Sequence, residues 1–262
     1  MLFVNVLEQY KANAKTLLVF ALLLVFVLAF VAVQPVFFSS GSVFLDYNLA
    51  TADLWQLLPA AAFIALFLAF YSFFISIILF SVRNSLSRLR QHYYLHEMMQ
   101  RFALKIFIFY LLFCFLLFLL VTGLLFLGVA IELINVIVLL VSIALLFVPQ
   151  AIVVDEEGLR YAIASNFDFI AKNKGVVLIV LVVGCVMLAA LQLVEFAIDQ
   201  IALIGSLVSL FIALVFILPF IEIMKTYQYM MRFELIKEHE AARRKKPLTF
   251  RPAPLSLAEA KP

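Results

Sequence analysis

The chain has 262 residues, of which 67% are hydrophobic and only 13% charged, with a formal net charge of +3. Soluble domains are about half apolar and about a quarter charged, so a water-soluble globular core is excluded. Two cysteines and three histidines do not make a disulfide framework or a cysteine-rich metal site; Cys114 and Cys185 read as small apolar packing residues, and no cofactor is implied.

In chain order, residues 16–38, 55–82, 106–127, 129–154 and 175–224 are nearly free of charge, and each is long enough for the roughly 20 residues of a membrane helix. The last block would extend about 75 Å as one helix, more than twice the roughly 30 Å hydrocarbon layer, so it folds back. The reversal falls at FAIDQ, where Glu195, Asp199 and Gln200 supply polarity. Residues 106–154 reverse in the same way at Gly128 and Glu132. Six spans follow, near 16–37, 55–82, 106–127, 132–154, 175–195 and 201–224. The first continues through VAVQPVFF instead of ending at a small-residue cleavage site, so it reads as a helix and not as a signal peptide. The expected fold is all-α, a polytopic bundle over residues 1–232, followed by a basic, proline-containing tail at 233–262.

All 19 lysines and arginines fall on one side of this layout: before the first span, in the 83–105 and 155–174 loops, and from Lys225 onward. Asp46, Asp53, Glu132, Glu195 and Asp199 occupy the other side. Positive loops stay inside, which places both termini in the cytoplasm of a multi-pass cell-membrane protein. Tyr10, Tyr93, Tyr94, Tyr161, Tyr227 and Tyr229 at one boundary, and Tyr47 and Trp55 at the other, match interfacial belts.

Each odd-numbered span is preceded by a similar elbow: VLEQYKANAK, LHEMMQRFALK and NFDFIAKNKG. An acid precedes a base within a turn in each, as in Glu8 and Lys11, Glu97 and Arg101, Asp168 and Lys172. In the third, Leu159, Ile163, Phe167 and Ile170 mark an apolar helical face opposite Tyr161, Ser165, Asp168 and Lys172. Such amphipathic helices rest at a headgroup boundary. Asn13 and Asn173 are the best aligned pair, and two origins remain open: duplication of a hairpin unit, or the common need of every entry for an anchored edge. Pro149 and Pro219 sit near the ends of even-numbered spans and are expected to kink helices. With no charged site placed beside them in mid-membrane, they read as steering the exits and not as a gate.

Ala62, Ala65, Ala69, Ser72 and Ser76 form one face of the second span, and Phe63, Phe67, Phe70 and Phe74 the opposite face. Small residues favour close helix contact in lipid, so the first face is expected inward and the phenylalanines outward. Ala202, Ser206, Ser209 and Ala213 repeat the stripe in the sixth span, and Cys185, Ala189 and Gln192 share a face of the fifth. These residues either pack helices or line a polar route.

Glu222 lies between Pro219 and Lys225 at a span edge, where pairing with Lys225 or contact with water is expected. His92 and His96 lack further ligands and read as solvated. Phosphate-binding glycine motifs and a triad in register are absent from the sequence, so no catalytic, cofactor-binding or metal residue is assigned. Arg243, Arg244, Lys245 and Lys246, next to a membrane exit, are expected to contact anionic lipid and not nucleic acid.

The stretches FVPQAIVVDEEGLRYAIAS, NFDFIAKN and LPFIEIMKTYQYMMRFEL resemble a loose family of prokaryotic six-helix membrane proteins that includes the membrane domain of some glycerophosphodiester phosphodiesterases. In those enzymes catalysis resides in a separate soluble barrel, for which this chain has no room. The resemblance therefore implies an auxiliary membrane module and supplies no catalytic residue. Two functions are expected of such a chain. One is a non-catalytic scaffold, regulatory or lipid-organising module acting with membrane lipids, or with a protein partner, through its basic face. The other is a transporter or channel for a small or lipidic solute.

Overall fold

The computed structural model describes residues 2–14, 18–31, 36–39, 42–45, 54–87, 94–201 and 204–231. Among them the chain is helical apart from one short hairpin. Five helical stretches are long and apolar enough to cross a membrane: Leu58–Leu86, His96–Phe126, Ile131–Val154, Lys174–Asp199 and Gly205–Met230. The expectation of a multi-pass helical membrane protein holds in this form.

The N-terminal region departs from the expected single helix over 16–37. Helix α1 (Leu2–Ala12) is followed by a 3-10 turn (Leu18–Phe20) and by α2 (Ala21–Val31), whose 11 residues span only about 16 Å at 1.5 Å per residue. Strands β1 (Val36–Ser39) and β2 (Ser42–Leu45) then pair antiparallel, with Val36 opposite Leu45 and Ser39 opposite Ser42. The run VFFSSGSVFL carries the signal for this: β-branched and aromatic residues on both sides of a Ser-Gly pair.

Helix α3 (Leu54–Leu86) is 33 residues long. A short α4 (Leu95–Met98) runs through a π-helical turn (Met99–Ala103), in which Leu104 N–H bonds Met99 O, into α5 (Leu104–Phe126). Gly128 has φ +70, a left-handed conformation that favours glycine, and it turns the chain into α6 (Ile131–Ala144). The Ile131–Val154 stretch is interrupted before α7 (Val148–Val154); α8 (Leu159–Lys172) is the third elbow, and α9 (Lys174–Asp199) is the next long apolar helix. The last stretch is α10 (Gly205–Ile212), a π-helical turn (Ala213–Ile217) and α11 (Leu218–Met230).

Helix α11 is the central pillar. Glu222 to Met230 are buried without interruption, because α1, α3, α7 and α9 all pack against it. The core gathers at this end, around Ile78, Leu79, Phe102, Phe147, Ile152, Phe169, Ile223 and Tyr229. Toward the opposite end α5, α6 and α9 expose Phe115, Leu116, Phe126, Leu139, Leu140, Val186 and Leu193. A bilayer solvates such side chains as well as a neighbouring helix does, so helix association there gains little from the hydrophobic effect.

The phenylalanine face of α3 does not point outward. Phe74 is buried, and Phe63, Phe70 and Phe74 meet Phe30, Phe26 and Phe20 with ring centroids 5.3, 4.3 and 5.7 Å apart. This ladder of rings holds α2 on α3, and edge and offset ring contacts of this kind each add about 0.5–1.5 kcal/mol beyond burial.

Candidate functional site

The Ile131–Val154 stretch breaks because Pro149 cannot continue it: the ring has no N–H and collides with the carbonyl four residues earlier. The backbone tightens, with Leu146 N–H bonding Ile143 O and Val148 N–H bonding Leu145 O. That change frees the Phe147 N–H and the Ala144 carbonyl. Asn166, fully buried on α8, satisfies both: its Oδ1 accepts from Phe147 N at 2.9 Å, and its Nδ2 donates to Ala144 O at 2.7 Å. The elbow thus supplies through one side-chain amide the two bonds that the helix lost.

The Gly205–Met230 stretch is irregular for the same reason. Ahead of Pro219 the helix widens, and Leu218 N–H reaches Ala213 O five residues back. One turn later comes Glu222, whose Oε1 lies 2.6 Å from Lys225 Nζ; the two side chains are only 7% and 6% exposed. Gln150 Nε2 donates to Glu222 Oε2 at 2.7 Å, and Lys225 Nζ to Leu146 O at 3.3 Å. The ammonium therefore ties α11 to the break before α7. Gln150 Oε1 has no hydrogen-bond partner among the described residues.

Two cavities reach Glu222. One, of about 180 Å³, is lined by the rings of Tyr71, Phe109, Tyr110 and Phe113, by Ser142, Leu145, Leu146 and Pro149 at the break, and by Glu222 and Lys225. The second, of about 220 Å³, is lined by Leu188, Ile221 and residues of the π-helical turn, with Glu222 at its polar end. Proline breaks in two neighbouring spans thus flank a buried ion pair with open space on either side. In membrane proteins irregular backbone persists where it is enclosed by protein or lines a cavity, and both conditions are met here.

A second layer of polar ties lies toward the basic end. Arg83 donates to Val153 O at 2.8 Å, capping α7, and pairs with Glu156 at 2.7 Å; Arg101 approaches the same carboxylate at 3.5 Å. Glu156 has φ +57, which costs a non-glycine residue about 1–2 kcal/mol, and the two guanidinium groups favour it. Tyr229 donates to Asp155 Oδ2 at 2.6 Å, and Ser165 to the same oxygen at 3.1 Å. Asn5 Nδ2 donates to Tyr227 Oη at 2.9 Å, fixing α1 to the pillar. Asn13 and Asn173 do the same job in their elbows: each side-chain amide donates to the carbonyl four residues back, Gln9 O at 2.8 Å and Phe169 O at 3.0 Å. In the second elbow Phe102 stands at the aligned position, and there the helix runs on into α5.

The residues singled out in the sequence are not brought together. Ala62 is exposed, Ala65 and Ala69 are half-buried, and Ser72 and Ser76 are buried. The serines donate to Leu68 O and Phe73 O of their own helix, so they serve packing. Ser206 is half-buried, and Ser209 donates to Glu195 and Ser206 O; Ala202 lies outside the described residues. Gln192 is exposed, with Cys185 and Ala189 on the same exposed face, which removes that face from any inner route. The buried face of α8 is centred on Ala162, Asn166 and Phe169, while Phe167 is exposed. His96 is exposed beside Gln100; His92 and Arg243 to Lys246 lie outside the described residues. Glu222 pairs with Lys225 as expected, but it is buried instead of facing water. Gln150 and Asn166 were missed; Gln150, a lone amide in the apolar run before Asp155, carried a usable signal, whereas Asn166 sits among the polar residues of its elbow.

Among the described residues no cluster of three metal-ligating side chains forms. Comparison with protein-family models, with characterised proteins and with solved structures finds no match.

Proposed function

We propose that this is a six-span, non-catalytic membrane protein of the transporter class, with both termini cytoplasmic, that accepts a small or lipidic solute at the Glu222–Lys225 pair. One observation carries the reading: a buried ion pair adjoins both proline breaks, and cavities reach it from two sides. Intramembrane charges are costly, by about 2.5 kcal/mol or more per residue on insertion scales, and retaining two points to use. Discontinuous spans that meet at a polar centre are a recurrent way to build solute sites. The test is translocation of fluorescent lipid analogues in proteoliposomes. Transfer above protein-free vesicles that Ser142→Phe and Ile217→Trp abolish is expected; transfer equal to empty vesicles overturns the proposal. Impermeant thiol reagents should fail to reach Arg90→Cys and Lys245→Cys in intact cells, and labelling of either overturns the orientation.

A second reading, the scaffold or lipid-organising module, is favoured by the ties that fix the α1 and α8 elbows to the bundle. These hold a basic face in place for a partner or for anionic headgroups, as the resemblance to an auxiliary membrane module implies. Native mass spectrometry of the purified protein tests it. Bound anionic lipid that disappears when Arg243, Arg244, Lys245 and Lys246 are all replaced by glutamine supports the reading, and unchanged lipid refutes it.

A further inference from the structure

The geometry points to the cavity beside Glu222 and Lys225 as a binding site for the head of an uncharged, hydroxyl-bearing amphiphile of the long-chain alcohol class. The inference rests on the reading of this pair as the solute site. Charge comes first. Glu222 and Lys225 neutralise one another at 2.6 Å, so a net charge on the ligand would sit uncompensated beside a buried ion pair. An uncharged head avoids that.

Hydrogen-bonding capacity selects the head further. Of the three N–H groups of the ammonium, Glu222 and Leu146 O take two. Ser142 Oγ donates its proton to Val138 O at 2.8 Å and so offers lone pairs to the cavity it lines. The phenols of Tyr71 and Tyr110, their rings 5.3 Å apart, add hydroxyls. Donors and acceptors are thus mixed, as an alcohol requires, because its oxygen both donates and accepts.

Size and access agree. A volume of about 180 Å³ suits a compact head. The same cavity is walled by Phe109, Phe113, Leu145 and Leu146 and is partly open. Beside it α5 and α6 expose Leu112 and Leu139, so an alkyl chain can follow the head while staying in lipid.

The test uses the full chain in nanodiscs at neutral pH and three photoactivatable probes that share one alkyl chain: a long-chain alcohol, the matching carboxylic acid and a phosphatidylcholine. Saturable labelling of α5, α6 or α11 by the alcohol in preference to the other two is expected. Ser142→Leu, which fills the cavity, should abolish it, and Tyr110→Phe should weaken it by about tenfold if one hydrogen bond is lost. Both variants are first checked for an unchanged unfolding temperature, and a buried Ile223→Ala control should leave labelling intact. Equal or stronger labelling by the acid, or alcohol labelling untouched by Ser142→Leu, overturns the inference. Lipid translocation without alcohol labelling would refute this ligand class and leave the transport reading standing. Alcohol labelling without translocation would do the reverse.

Discussion

Replacing Asn166 by alanine should be among the most damaging single substitutions in this chain. Asn166 is fully buried, and its amide partners two backbone groups freed by the break, Phe147 N–H and Ala144 O. Each buried polar group left unpaired costs about 1–3 kcal/mol, so the predicted loss is about 2–6 kcal/mol. Asn166→Asp keeps the acceptor for Phe147 N–H but sets a carboxylate oxygen against Ala144 O, and should retain part of the stability only when protonated. Asn173→Ala is the control: it removes an amide bonded to Phe169 O from a half-buried position, where water replaces the bond, and should cost about 1 kcal/mol or less. Thermal unfolding in detergent ranks the three, and hydrogen exchange at the Phe147 amide reports the break directly. An Asn166→Ala protein as stable as the Asn173→Ala protein, with Phe147 still protected, would refute the clamp.

The ion pair predicts a double-mutant cycle with strong coupling: Glu222→Gln and Lys225→Met each leave a buried charge unpaired, at about 3–5 kcal/mol, whereas the double variant should lose much less than their sum. Additive losses would show that the two side chains are not paired. Gly205 has no room for a side chain, since a Cβ would lie 2.5 Å from Glu195 O and 2.6 Å from Asp199 Oδ1; Gly205→Ala should destabilise by about 1–3 kcal/mol through overpacking, and an unchanged unfolding temperature would contradict the packed turn. Burial raises the Tyr10 phenol above its ordinary value of 10.0. The stability it contributes is therefore present below pH 10 and is lost as pH rises through the folded-state value. Tyr10→Phe should flatten the alkaline limb of the unfolding profile, and an unaltered limb would refute this.

The punctuation of the fold was legible in the sequence wherever backbone chemistry leaves one solution. Gly128 and the Glu195–Gln200 stretch mark reversals, Pro149 and Pro219 mark breaks, and the aligned Asn13 and Asn173 prove to end their elbows with the same side-chain bond. Which face of an apolar helix turns inward was not legible in the same way, because lipid and a neighbouring helix present the same chemistry to a phenylalanine or an alanine. The α3 phenylalanines therefore pack on α2, against expectation, and the Gln192 face is exposed. The burial of the charged pair escaped for a different reason. Distance along the span placed Glu222 and its partner Lys225 at an edge, but their burial is set by α1, α3, α7 and α9 closing around α11, a tertiary fact with no local signature. With the pair expected at a wet edge, Pro149 and Pro219 lacked the buried neighbouring charge that distinguishes a site from a simple kink.

Cysteine accessibility beside the ion pair tests the central claim most directly. In a background lacking Cys114 and Cys185, Ser142→Cys should react with a small neutral maleimide, because it lines the cavity beside Glu222 and Lys225. Ile223→Cys, at a fully buried neighbour of the pair, should stay unmodified. Faster reaction at 142 than at 223, slowed by a bulky reagent, is the predicted result. Equal protection at both positions would mean that the pair is sealed in packing, and the site described here would not exist.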